Sequence, residues 1–173
     1  VSFTGSVKAG YEVQKATHTK FIDMALELGG KDPAYARYDC DLEKTVENLV
    51  DGSFFNSGQS CCGIERIYVD EKVYDKFIDG FKSVTEKYIL GNPLEENTNL
   101  GPVVRINAAK FIRTQVTEAL NNGAKNIIDS NIFKADDGLN CYVSPSALIE
   151  VNHSMEFMKE ETFGPTVGIM KVK

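Results

Sequence analysis

Short apolar segments alternate with amphipathic segments of helical period along the whole chain. That alternation restricts the fold more than any other feature of the sequence. From Asp41 onward, apolar residues fall at Leu42, Val46, Leu49, Val50 and Phe54 behind an acidic start, which predicts a helix. A second predicted helix covers residues 72–89, with Val73, Phe77, Phe81, Val84 and Tyr88 on one side, and breaks at Gly91-Asn92-Pro93. A third covers 107–120, with Phe111, Val116 and Leu120 facing inward and Gly123 as its C-terminal cap. A more polar helix is expected over 8–17. Strands are expected at 21–28, 33–38, 64–69, 125–129, 142–151 and 166–172, and the stretch 130–140 reads as a loop. Strand and helix in alternation, without an internal repeat, predict the α/β class.

Composition removes several kinds of function. The 173 residues are enough for one domain of ordinary size with a sizeable core. Net charge is −6 with both signs interspersed, so no basic face is expected and nucleic acid is not an expected partner. No apolar run has membrane-spanning length, and nothing near Val1 resembles a secretory leader, so no membrane partner is expected either. Both ends, Val1-Ser2-Phe3 and Gly168 to Lys173, read like the interior of strands. The sequence is therefore expected to be truncated at both ends.

The four cysteines are Cys40, Cys61, Cys62 and Cys141, with His18 and His153 the only histidines. No spacing among them suits zinc, so no metal site is expected. Adjacent Cys61 and Cys62 would bridge only with severe strain. These thiols read as free, in a reducing and cytoplasmic compartment.

Four segments could carry chemistry. In Phe54-Phe55-Asn56-Ser57-Gly58-Gln59-Ser60-Cys61-Cys62, a helix ends and a glycine-bearing turn presents a thiol before a strand. An unactivated thiol is only about 3% thiolate at pH 7. Cys61 also follows a helix C-terminus, the wrong end of the dipole for activation. Read alone, it is as well explained as a small buried hydrophobe. In Leu26-Glu27-Leu28-Gly29-Gly30-Lys31, a carboxylate ends an apolar strand. If partly buried, its pKa would rise toward that of a general base; the plain alternative is a strand-end Glu beside a turn. Lys159-Glu160-Glu161-Thr162-Phe163-Gly164-Pro165 combines an acid that could hold a polyol with an aromatic ring, or is a solvated turn. Phe3-Thr4-Gly5-Ser6 opens a helix, whose N–H groups suit a phosphate, although Ser is also simply a good N-cap.

Taken together, in this order and spacing, the four segments resemble the aldehyde dehydrogenase superfamily, the NAD(P)-dependent enzymes that oxidise aldehydes to acids. The resemblance extends over essentially the whole chain, including Gly101-Pro102. It implies an α/β fold with a three-layer αβα catalytic domain. Residues 1–30 would be the tail of the NAD(P)-binding domain, and 31–173 a catalytic domain incomplete at its C-terminus. By position, it implies that Cys61 is the nucleophile and Glu27 the general base. Glu161 would hydrogen-bond the nicotinamide ribose, with Phe163 packing near the nicotinamide. Gly5 and Ser6 would approach the pyrophosphate and the Leu28 backbone the carboxamide. The implied cofactor is NAD or NADP, the substrate a small-molecule aldehyde, and the parent protein a homo-oligomer, dimer or tetramer.

The family's oxyanion-hole Asn and its upstream dinucleotide-binding units are absent from this sequence. The 173-residue chain alone is therefore expected not to catalyse efficient NAD-linked oxidation. Three rival readings differ in testable ways. A CoA-acylating relative would transfer the acyl group to CoA, but the carboxylate at position 27 favours hydrolysis. A non-catalytic truncated paralogue would act as a binding or structural protein. A cysteine hydrolase would pair Cys61 with His18 or His153.

Overall fold

The computed structural model describes residues 1–173. The chain divides into two compact units, Val1–Gly30 and Lys31–Lys173. In the first, β1 (Ser2–Gly5), α1 (Val7–Thr17) and β2 (Ala25–Leu28) form a βαβ unit, with β1 and β2 parallel from Ser2↔Ala25 to Gly5↔Leu28. Ser6 caps α1, its Oγ accepting from the Ala9 N–H at 3.3 Å. Gly10 is buried on α1, and a Cβ there would stand 3.0 Å from both Leu28 methyl carbons, so the Leu28 side chain packs directly on the helix backbone. The strand expected over 21–28 is shorter than its apolar content suggests. Pairing starts at Ala25, and Phe21 is fully exposed.

In the second unit a five-stranded sheet has the order β3-β4-β7-β6-β5, from β3 (Asp32–Ala36), β4 (Ile64–Asp70), β5 (Lys125–Asn126), β6 (Ser146–Ile149) and β7 (Thr166–Val172). All neighbours are parallel except β5 with β6. Its helices are α2 (Leu42–Phe54), capped by Asp41, α3 (Tyr74–Thr85) and α4 (Ile106–Asn121).

Strand periodicity sorts the helices onto two faces. Val167 and Ile169 of β7 and Ala147 of β6 join the cluster of Phe54, Phe77 and Phe81 from α2 and α3. The alternate positions, Leu148 and Met170, join the cluster of Ala119, Val151 and Met158, which includes α4. Gly168 lies on this second face, where a Cβ would meet the Met158 sulfur. The result is the three-layer αβα arrangement that the sequence led us to expect.

Four sequence expectations need correction. Helix α4 turns Ala109, Ile112, Gln115 and Ala119 inward, whereas Phe111 and Leu120 are exposed. Gly164 brings backbone against the Ile112 side chain, which fixes that residue as part of the inward face. The strand at 125–129 stops after Asn126, because the Asn126 side-chain oxygen accepts from the N–H groups of both Ile128 and Ala147 and ends the ladder. The strand at 142–151 starts only at Ser146. Before it, the Tyr142 carbonyl accepts from Arg113 and the Ser144 N–H donates to Asp136. The helix at 72–89 is confined to Tyr74–Thr85, with turns and a bridge following.

Asp136 organises the loop between β5 and β6. Burial opposes its ionisation. The Ser144 and Gly138 N–H groups and the Arg113 guanidinium outweigh that opposition and hold the carboxyl below the usual aspartate range. No helix is long and apolar enough to cross a membrane.

Phe54 ends α2 with no exposed surface and packs edge-on against Phe81 and Tyr88 at 5.9 and 6.1 Å, while Phe55 beside it is 66% exposed. Phe54→Ala is expected to lower unfolding free energy by about 3–5 kcal/mol in a urea titration. Phe55→Ala should change it by less than about 0.5 kcal/mol.

Candidate functional site

The parallel register of β3, β4 and β7 gathers three separate stretches at one end of the sheet. Lys31 precedes β3, the Gln59–Gly63 turn precedes β4, and Glu161–Pro165 precedes β7. Cys61 lies in the second of these stretches and is exposed, as is Cys62. The Ser60 hydroxyl and the Cys62 sulfur are 3.4 Å apart.

The turn bearing Cys61 has an unusual backbone. After α2 come a 3-10 turn, Phe55–Gly58, and left-handed φ values at Asn56 (51°), Ser57 (58°) and Gly58 (70°). Such a path is costly without support. Support comes from the chain near Gly101. Ser57 Oγ donates to the Gly101 carbonyl at 2.7 Å. Gln59 Oε1 accepts from the Val104 N–H at 2.7 Å, and Gln59 Nε2 donates to the Asn56 carbonyl at 3.0 Å. Gln59 thus fixes the turn two residues before the thiol, a role that its place in the motif does not disclose. At Gly58 a Cβ would stand 2.0 Å from the Gly164 carbonyl oxygen, so the cysteine turn and the Glu161–Pro165 turn touch backbone to backbone.

A buried ion pair holds the third stretch. Lys31 Nζ is 2.6 Å from Glu65 Oε2, with the two side chains 4% and 6% exposed. Glu65 also accepts from the Thr162 N–H at 2.8 Å and the Phe163 N–H at 2.9 Å, and Lys31 donates to the Thr162 hydroxyl at 3.0 Å. Burial pushes the Lys31 ammonium below the ordinary lysine value, against the pull of Glu65. Glu161 is half-buried, and Phe163, at φ 52°, leaves its side chain 41% exposed. Sequence reasoning missed Glu65, which reads as one more residue of an alternating strand. The only available signal was a carboxylate at an inward position.

In the Val1–Gly30 unit, Gly5 pairs with Leu28 at the carboxyl end of β1 and β2, and Ser6 caps the helix that starts there. A parallel βαβ crossing with a Gly-Ser at its helix N-terminus is where dinucleotide phosphates are received. These residues therefore fit the phosphates of a dinucleotide. Glu27, whose burial the sequence left open, is exposed, because the period of β2 turns Leu26 and Leu28 inward instead.

His153 is not arranged to serve a hydrolase with Cys61. His153 follows β6, at the opposite end of the sheet from Cys61, and its Nε2 is 2.7 Å from the Tyr68 hydroxyl. His18 Nδ1 is 2.7 Å from the Lys15 carbonyl oxygen. No group of three or more His, Cys, Asp and Glu side chains is assembled that could hold a metal ion.

The contact at Gly58 can be tested against a glycine of similar φ in open space. Gly123 has φ 100° and nothing within 4 Å of an added Cβ. Gly123→Ala is expected to cost about 1 kcal/mol. Gly58→Ala should cost roughly 3 kcal/mol or more and change the rate at which iodoacetamide alkylates Cys61. Equal effects of the two substitutions on denaturation midpoints would mean that the two turns do not touch.

Comparison with known proteins agrees with this geometry. The sequence profile of the aldehyde dehydrogenase family matches residues 1–173. Lactaldehyde dehydrogenase of Escherichia coli is 36% identical over 171 residues, covering 98% of this chain and 35% of that protein. The crystal structure of NADP-dependent glyceraldehyde-3-phosphate dehydrogenase from Bacillus halodurans, complexed with NADP, superposes with a TM-score of 0.89 at 34% identity, covering 99% of this chain and 34% of the other. Betaine aldehyde dehydrogenase from Staphylococcus aureus, in complex with NAD+, does so with a TM-score of 0.91 at 30% identity, covering 100% and 35%. The chain thus spans about a third of the length of the relatives that it matches.

Proposed function

The chain belongs to the aldehyde dehydrogenase family, and from that premise we propose that it carries the nucleophile and part of the cofactor site of an enzyme oxidising an aldehyde to a carboxylic acid with NAD(P)+. The observation that carries the reading is the exposed Cys61 on a braced turn, in backbone contact with the turn bearing Glu161 and Phe163. In this reading, residues 1–30 are the tail of the cofactor domain and residues 31–173 belong to the catalytic domain.

Cys61, as thiolate, attacks the aldehyde carbon, and the carbonyl oxygen takes up negative charge as a thiohemiacetal forms. Backbone N–H donors near the thiol oppose that charge. The thiohemiacetal then collapses, its carbon–hydrogen bond breaking with loss of hydride, and the acyl group is left on sulfur as a thioester; a bound nicotinamide dinucleotide would supply the hydride acceptor. Glu27 removes a proton from water, the resulting hydroxide adds to the thioester carbon, and the Cys61 thiolate leaves with release of the acid. The exposure of Glu27 supports a role at an open, water-accessible position. Glu161 accepts from the ribose hydroxyls, Phe163 packs near the nicotinamide, Gly5 and Ser6 approach the pyrophosphate, and the Leu28 backbone faces the carboxamide.

The experiment uses the protein produced from its complete reading frame, assayed with lactaldehyde and betaine aldehyde, with and without CoA. Cys61→Ala is expected to abolish NAD(P)H formation. Glu27→Gln should retain a first-turnover burst of NAD(P)H, with steady-state turnover lowered by about 10²–10⁴. An acyl-CoA product would assign the protein to the acylating branch. Turnover unaffected by Cys61→Ala would overturn the reading.

A further inference from the structure

We propose that Glu65 is a positioning residue for the nicotinamide dinucleotide: held by Lys31, its carboxylate grips the Thr162 and Phe163 N–H groups and so fixes the Glu161 carboxylate and the Phe163 ring toward the ligand. The inference rests on the roles proposed above for Glu161 and Phe163, and deepens them by naming what sets their geometry.

Three observations carry it. Glu65 spends its acceptor capacity on one short stretch of backbone: Oε1 receives the Phe163 N–H at 2.9 Å, and Oε2 receives the Thr162 N–H at 2.8 Å together with Lys31 Nζ at 2.6 Å. These donors lie immediately after Glu161, so the carboxylate fixes the peptide planes from which both ligand-facing side chains depart.

Phe163 occupies a left-handed backbone conformation, φ 52°, that a bulky residue adopts only when its surroundings impose it. Its side chain is nevertheless 41% exposed, so burial of the ring does not account for the strain. Aiming the ring outward does account for it.

Finally, a buried ion pair is a poor way to gain stability, because desolvation of the two charges offsets most of their attraction. It is an effective way to fix direction, since a carboxylate and two N–H groups admit little freedom once all are satisfied. A third element adds to the grip, as Gln115 Nε2 on α4 lies 3.5 Å from the Glu161 carbonyl oxygen.

The test compares Glu65→Gln, the double variant Lys31→Met/Glu65→Met, and Glu161→Gln in the protein from the complete reading frame. The double variant removes both charges together, so it leaves no lone buried charge to prevent folding. Dissociation constants for NAD+ and NADP+ come from isothermal titration calorimetry. The rate of Cys61 alkylation by iodoacetamide and the melting temperature serve as independent readouts.

Glu65→Gln, which keeps one carbonyl acceptor, is expected to weaken dinucleotide binding about tenfold, and the double variant roughly a hundredfold. KM for the aldehyde and the alkylation rate should stay near wild type. Weakening by Glu161→Gln with wild-type affinity in both other variants would overturn the proposal and leave the ribose reading standing. Wild-type affinity in all three would overturn both. A parallel fall of affinity, alkylation rate and melting temperature would show general loosening, and would also overturn it.

Discussion

Parallel pairing of β4 with β7, and of β3 with β4, is the constraint on which the rest of the Lys31–Lys173 unit depends. Backbone hydrogen bonds set the register Arg66↔Gly168 and Ala34↔Ile67, and that register decides which connecting segments share an end of the sheet. Residues far apart in sequence, Lys31, Cys61 and Phe163, thereby become neighbouring starts of strands. The usual rule for open α/β sheets places ligands beyond the carboxyl ends of parallel strands. Gly5 and Leu28, proposed for the cofactor, stand at the carboxyl ends of β1 and β2 in the Val1–Gly30 unit, whereas the cysteine turn lies at the amino ends of its strands. There it gains no favourable helix dipole from α2, whose C-terminus leads toward it. The turn is positioned by hydrogen bonds from Ser57 and Gln59 to the chain near Gly101, and not by the sheet alone.

What the sequence discloses and what it hides divide along physical lines. Local rules operate within a few residues, and they were legible. Asp41 caps α2 by accepting from the Lys44 N–H, Gly123 follows α4 at positive φ, and Thr166–Val172 is a strand over its full expected length. Rules that depend on the partner were not legible. The inward face of α4 carries Ala109, Ile112, Gln115 and Ala119, with Ile112 packed against Gly164 of a distant turn, and Phe111 and Leu120 turn out to solvent. The Asn126 side chain ends β5 by bonding across to Ala147, a contact that no window of sequence contains.

The candidate site shows the same division. Cys61, Glu161 and Phe163 became candidates through the order and spacing of their segments taken together, in their resemblance to a family, and not through any one segment read alone. Glu65 could not be picked out, since its partners Lys31 and Thr162 stand 34 and 97 positions away. Glu27 falls on the expected strand, and of the two environments the sequence left open it has the exposed one. A strand of period two that turns Leu26 and Leu28 inward must turn Glu27 out.

Strain and support are matched across this end of the sheet. Asn56, Ser57 and Phe163 all hold left-handed φ values, each disfavoured by about 1–3 kcal/mol for a non-glycine residue. Each lies in one of two turns that meet where Gly58 abuts Gly164, and each turn has its own hydrogen-bonded support, the first from the chain near Gly101 and the second from Glu65. The hydrogen bonds that oppose relaxation come from buried or half-buried groups, Ser57, Gln59, Glu65 and Lys31. Water competes poorly with such partners, and they resist displacement more than exposed partners would. The thiol and the Phe163 ring remain exposed on a backbone that cannot readily yield. A nucleophile whose reaction depends on the direction of approach needs that combination: side chains open to a ligand, carried by main chain whose alternatives have been removed.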